Sequence, residues 1–254
     1  MAGIRKPFQG ITNIVRFNWH FYLLAAVAVL LVLIFHHSLN DPYRFYTNIL
    51  CILIIGTTLI SLLVSFFVYD LSGLYTFNWL DKIKMNLTGK IININAGFDE
   101  TSVLLHSKYP GSELQVFDFY DSEKHTEVSI KRARNAYPPY KNTKLISTSL
   151  LPLQDSSADN IFVILAAHEI RSDEERVEFF KEIHRVVKHP GKVIVTEHLR
   201  DFSNFLAYNI GFFHFLSKSS WLRTFKNANL RISEQVKITP FITTFILEKN
   251  GASS

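Results

Sequence analysis

An α/β domain with a doubly wound, mostly parallel sheet and a terminal β-hairpin, preceded by two transmembrane helices, is the fold class that three features of the sequence predict. Two long uncharged apolar runs lie before residue 76. From residue 90 onward short β-like runs alternate with helical patterns, the sequence form of a parallel sheet with crossover helices. Two further β-like runs, joined at Pro240, follow that alternation. Of the 27 Lys/Arg and 22 Asp/Glu in the 254 residues, residues 1–75 hold only Arg5, Lys6, Arg16, Arg44, Asp41 and Asp70. The division is therefore an anchor over 1–75 and a charge-bearing domain over 76–254.

The anchor comes first. Between Arg16 and Asp41 there are 24 residues without a formal charge, and between Arg44 and Asp70 there are 25, each long enough to cross a hydrocarbon core of about 30 Å as a helix. The spans are placed at about 19–36 and 49–69, the first flanked by Trp19, Tyr22, His36 and His37, which suit an interface. A cleaved signal peptide would need a small-x-small site after the first run, and none follows. Arg5, Lys6 and Arg16 precede the first span and Lys82 and Lys84 follow the second, while the connecting loop balances Arg44 against Asp41. The positive-inside bias then puts both ends, and the domain, on the cytoplasmic face of the inner membrane. The formal charge of +5 comes without a basic run, which argues against a nucleic-acid partner. Cys51 is the single cysteine, so one chain can build neither a disulfide framework nor a cysteine zinc cluster, and no metal ligands are assigned.

The predicted strands are Lys90–Asn95, Glu113–Phe119, Lys144–Leu150, Asn160–Ala167 and the run KVIVTEHL from Lys192. The helix SDEERVEFFKEIHRVVK carries Ser172 as its cap, acids in its first turn and a stop at His189-Pro190-Gly191. An aromatic-rich helical stretch runs from Phe202 to Phe225. In a doubly wound sheet, ligands bind beyond the carboxyl ends of the strands. Those loops hold Asn95-Ala96-Gly97-Phe98-Asp99, Asp118, His168-Glu169, and Glu197-His198 with Arg200 and Asp201.

Over about residues 88–249 the chain resembles the class I S-adenosylmethionine-dependent methyltransferases of the small-molecule, quinone-methyltransferase-like type. Leu151, Pro152, Asp155, Ser157 and Asp159 match one family motif, and Arg185, Val186, Lys188, Pro190 and Gly191 a second. The resemblance implies a Rossmann-like methyltransferase fold with S-adenosyl-L-methionine as cofactor. The family's glycine-rich loop is represented by IININAGFDETS, with Asn93 at the usual acid, Asn95 and Asp99 at outer glycine positions, and Gly97 retained. Asn tolerates the left-handed region that glycine serves, and Asp99 can cap the next helix or meet the cofactor's ammonium. Asp118, 21 residues after Gly97, stands where a carboxylate takes both ribose hydroxyls. At the adenine side Ser147 has to stand in for an acid. Asn93, Asn95, Gly97, Asp99, Asp118 and Ser147 are thus the expected cofactor-binding set.

Methyl transfer asks the protein to align acceptor and methyl and to manage one proton. His168 is the first candidate base, with Glu169 and His198 behind it; Glu197, Arg200 and Asp201 read more readily as loop anchors. Phe202, Phe205, Tyr208, Phe212, Phe213, Phe215 and Trp221 read as a lid over an apolar acceptor or as a surface on the bilayer, against the alternative of a core stripe. The expected function is methylation, preferably on oxygen, of a lipophilic phenolic, quinone-like or polyene-type molecule by a bilayer-anchored enzyme. The rival is an inactive methyltransferase-like scaffold among membrane-associated biosynthetic partners, motivated by Asn93, Asn95 and Asp99. A nicotinamide-dependent oxidoreductase would need a G-x-G-x-x-G turn that the chain lacks.

Overall fold

The structure is a computed structural model that describes residues 5–83, 85, 88–124 and 127–250; Lys84, used above, lies outside them. A short helix α1 (Gln9–Phe17) precedes α2 (Trp19–His36) and α3 (Asp41–Phe66), whose end widens into a π turn, Phe67–Leu71. No residue of α2 is buried, and in α3 only Ser65 is. Both helices are long and apolar enough to cross a membrane. α3 begins well before the expected Ile49, because Pro42 is pre-set for the first helical turn and Asp41 suits the positive end of the dipole.

The domain is a seven-stranded sheet in the order β3-β2-β1-β4-β5-β7-β6. Strands β1 (Lys90–Asn95), β2 (Glu113–Asp118), β3 (Lys144–Leu145), β4 (Ala158–Ile164) and β5 (Val187–His198) are parallel. The hairpin of β6 (Leu230–Thr239) and β7 (Ile242–Lys249) adds antiparallel, with β7 against β5. The order reverses between β1 and β4, the switch point beyond whose strand ends such sheets bind ligands.

Helices α4 (Ser102–Lys108), α5 (Val128–Ala136), α6 (Asp173–Val186), α7 (Phe202–Tyr208) and α8 (Lys218–Asn227) complete the fold. Ser172 caps α6 by accepting from Glu175 N, as the sequence predicts. The main core joins one face of β1, β4 and β5 to Phe179, Phe180, Ile183, Trp221 and Phe225 of α6 and α8.

Three expectations are corrected. The third strand is two residues long, since Ser147 and Leu150 form an isolated turn bridge instead of continuing it. α6 stops at Val186, and the chain is already extended through His189-Pro190-Gly191, pairing Val187 with Ala158. The stretch Phe202–Phe225 breaks into α7, a 3-10 turn (Asn209–His214) and α8, with Asn209 at positive φ (+51°) at the break.

α1 was not legible as an element of the domain. Its first free N–H groups, on Gly10 and Ile11, both donate to Asp70 at 2.8 Å, so a carboxylate from the π turn caps it across 60 residues. A Cβ on Gly10 would lie 2.5 Å from Tyr69 Cβ, so glycine permits that close approach.

Candidate active site

Asn95 ends β1 in ordinary extended backbone, and Gly97 at φ +92° is the only left-handed residue of the turn. The expectation that Asn95 serves in the left-handed region is therefore corrected: as the last residue paired in β1, opposite Asp118, it must stay extended. Its Oδ1 accepts from Gly97 N at 3.1 Å, closing an Asx turn. Asn93 is buried beneath the turn, where its Nδ2 donates to Thr101 Oγ1 and Ser102 Oγ at 2.8 Å. Asp99 Oδ1 accepts from Thr101 N and Ser102 N at 2.9 Å and starts α4.

Three buried atoms of this turn, Asn93 Oδ1, Asn95 Nδ2 and Asp99 Oδ2, have no hydrogen-bond partner among the described residues. Such atoms carry a desolvation cost that a polar ligand would relieve.

Asp118 is buried at the end of β2, its Oδ1 accepting from Tyr120 N at 2.8 Å and its Oδ2 from Arg134 Nη1 at 2.5 Å. Arg134, on α5, also lies over Gly97, where a Cβ would meet its Nη1 at 2.9 Å. The guanidinium thus covers the carboxylate and glycine that the sequence assigns to the cofactor. Phe98 turns away and packs against Phe17 and Tyr137 at 5.6 and 5.4 Å. Above them Glu100 accepts from Arg5, Gln9, Asn13 and Tyr75, tying α1 to the loop. Ser147 is exposed, bonded to Ser149; it is buried Thr148 that reaches inward, donating to Glu175 at 2.6 Å.

Across the switch point, a 3-10 turn (Ala167–Glu169) follows β4. His168 Nδ1 meets Glu197 Oε2 at 2.6 Å and its Nε2 meets Glu169 Oε1 at 3.1 Å. Burial works against the charged imidazole, but Glu197 and Glu169 outweigh it and raise its pKa to about 10. Burial alone would raise Glu169; hydrogen bonds from His168 and His214 instead hold it far below the usual carboxylate range. His214, from the 3-10 turn after α7, presents Nε2 to Glu169 at 3.5 Å and Nδ1 to Glu127 at 2.6 Å. His214 and Glu127 went unnoticed in the sequence, because the first sits in an aromatic run and the second in an ordinary helix start.

His198 is elsewhere. It is buried on Phe215, with Nε2 2.8 Å from Tyr69 Oη and Nδ1 3.1 Å from Asn204 Oδ1. Burial lowers its pKa to about 4, so it is neutral at pH 7. Arg200 donates to the carbonyls of Phe213 and Phe215, and Asp201 caps α7 by accepting from Asn204 N at 3.0 Å, so both anchor the loop. A cleft of about 430 Å³ lined by Gly73, Trp79, Lys82 and Lys237 involves none of these residues.

A family model described as a methyltransferase domain matches residues 121–195. A protein from Pyrococcus horikoshii OT3 superposes with a TM-score of 0.52 at 16% identity, covering 70% of this chain and 90% of its own. Geranyl diphosphate C-methyltransferase from Streptomyces coelicolor A3(2), solved with S-adenosyl-L-homocysteine, gives 0.50 at 12%, covering 70% and 79%. An S-adenosylmethionine-dependent methyltransferase from Clostridium acetobutylicum ATCC 824 gives 0.50 at 11%, covering 70% and 90%. The domain has the Rossmann-like methyltransferase fold. No curated protein matches the chain. S-adenosylmethionine is the cofactor that goes with this fold, and the loop's residues fit it: Gly97 carries no side chain, Asp118 is a buried carboxylate at the strand end that the sequence assigns to the ribose, and the three orphaned atoms offer both a donor and acceptors.

Proposed function

We propose that the chain is a membrane-anchored, S-adenosylmethionine-dependent methyltransferase acting on a lipophilic small molecule, with oxygen the preferred acceptor atom. The observation that carries it is the juxtaposition of Gly97, buried Asp118 and the orphaned polar atoms of the β1–α4 turn at the sheet's switch point. When bound, the cofactor supplies an electrophilic methyl group on a sulfonium.

The chain's own residues do the rest. Asp118 accepts from the ribose once Arg134 releases it, and Asn93, Asn95 and Asp99 receive the amino-acid end. His168 and Glu169 stand at the same strand edge to manage the acceptor's proton, which His168 accepts in its neutral form, the minority state at pH 7 because Glu197 and Glu169 hold its pKa near 10, while His198, enclosed by Tyr69 and Asn204, positions the β5 loop against the anchor.

The lipophilic acceptor rests on the anchor and on the aromatic segment. Phe202 (72% exposed), Phe205, Leu206, Ile210 (83%) and Phe213 leave a broad apolar surface on α7 and the turn after it, and α7 packs beside α3. A bilayer-dissolved acceptor would reach the site along that surface, and the domain would face the cytoplasm of the inner membrane, beside any membrane-bound biosynthetic partner.

One observation favours the scaffold reading: Arg134 already occupies Asp118. The test is incubation of the full chain in native-lipid nanodiscs with methyl-labelled S-adenosylmethionine, followed by organic extraction. Label in an extractable product supports methyl transfer; labelling no greater than in an Asp118→Ala variant overturns it.

A further inference from the structure

The imidazoles of His168 and His214 converge on Glu169 from two different elements, the turn after β4 and the turn after α7. We propose that His168 Nε2, Glu169 Oε1 and His214 Nε2 form a binding site for a divalent transition-metal ion of the zinc type.

The spacing suits that chemistry. These atoms all lie within 4.8 Å of one another, with Glu169 3.1 Å from His168 and 3.5 Å from His214. Bonds of roughly 2.0–2.1 Å in a tetrahedral site place ligand atoms about 3.3 Å apart.

The surroundings carry the inference further. Metal-bound histidines characteristically give their second ring nitrogen to a carboxylate, which fixes the tautomer and ring orientation. Both histidines here have that partner: His168 Nδ1 meets fully buried Glu197 at 2.6 Å and His214 Nδ1 meets Glu127 at 2.6 Å. Glu197 also accepts from His168 N at 3.2 Å, so the ring and its backbone are held together. Three carboxylates thus surround two imidazoles, a concentration of negative charge that a divalent ion would neutralise. The competing cation is Arg171, whose Nη2 lies against the His214 ring and 3.5 Å from Glu127; half exposed, it swings outward when the metal enters.

With three protein ligands, the ion keeps a position for water or for an oxygen of a bound molecule. The site stands on these residues alone, whether or not the chain transfers methyl groups. If it does, an acceptor hydroxyl or enol oxygen is the group that position would take.

The test uses the full, untagged chain in detergent, dialysed against Co²⁺ or Zn²⁺ and assayed by elemental analysis and by the visible spectrum of cobalt. About one ion per chain, a cobalt–imidazole band and a higher thermal midpoint are expected. His214→Ala, at a partly exposed position, should stay folded and weaken binding at least 100-fold, and Glu197→Gln or Glu127→Gln should weaken it about 10–100-fold. A His36→Ala/His37→Ala variant should bind as wild type. Substoichiometric binding by folded wild type, or full binding by folded His214→Ala, would overturn the site and show that protons alone hold the cluster.

Discussion

Along the carboxyl edge of the sheet, the β1–β2 side leaves Asn93 Oδ1, Asn95 Nδ2 and Asp99 Oδ2 unpartnered, whereas on the β4–β5 side both ring nitrogens of His168 and of His198 are engaged. The first side is also covered by a long arginine side chain reaching from α5, and the second by groups on strands and tight turns. Both arrangements spend stability, but differently. Unpaired buried amide and carboxylate atoms cost free energy that a ligand returns, while a buried ionic cluster carries a desolvation penalty that its own pairing offsets and costs most when one member is removed. The β1–β2 side thus offers unpaired atoms to a ligand, while the β4–β5 side holds its groups in pairs that a metal ion would have to replace.

Removing the carboxylate on the first side should have the largest effect. Asp118→Ala should weaken S-adenosylhomocysteine binding by more than 100-fold in a calorimetric titration, with the circular dichroism spectrum unchanged; retained affinity would detach Asp118 from the cofactor.

On the second side, His198 tests rigidity through pH. Its folded pKa of about 4 lies below the ordinary 6.5, so the unfolded chain binds the proton more readily. The stability this group contributes is complete above about pH 6.5 and is lost as pH falls through 4. The loss is on the order of 3 kcal/mol. Thermal midpoints should drop across that window, and a His198→Gln variant should show a flatter profile.

A smaller effect is expected at Gly97. Alanine there meets Arg134 and Tyr120 Cβ at 2.9–3.0 Å in a left-handed backbone, a strain of about 1–3 kcal/mol that should weaken cofactor binding about tenfold or more. Smallest, and opposite in sign, is Arg134→Ala. By freeing Asp118 it should tighten binding about tenfold, the mark of a competing guanidinium; weaker binding would make Arg134 part of the cofactor site instead.

How far the sequence carried this contrast depends on the range of the interactions involved. The succession of strands and helices, the Ser172 cap and the strand-end positions of Gly97, Asp118, His168 and Glu169 follow from local periodicity and spacing. Strand β3 shrank because Ser147–Leu150 prefers its own turn, a competition between nearby hydrogen bonds that residue pattern does not weigh. The cover over the β1–α4 turn was out of reach for another reason. Arg134 meets Asp118 across 16 residues, Arg5 meets Glu100 across 95, and His214 joins Glu169 only when the turn after α7 folds back over β4. Only tertiary packing makes such encounters, and no periodicity announces them.

On the proposed reading, the β1–β2 edge is a cofactor site that Arg134 holds shut. Titrating S-adenosylhomocysteine into the full wild-type chain and the Arg134→Ala variant, both in lipid nanodiscs, tests it most directly. Saturable one-to-one binding in the micromolar range, tighter for the variant, is the predicted result. No binding by either folded protein would overturn the cofactor site and leave the domain a scaffold in methyltransferase form.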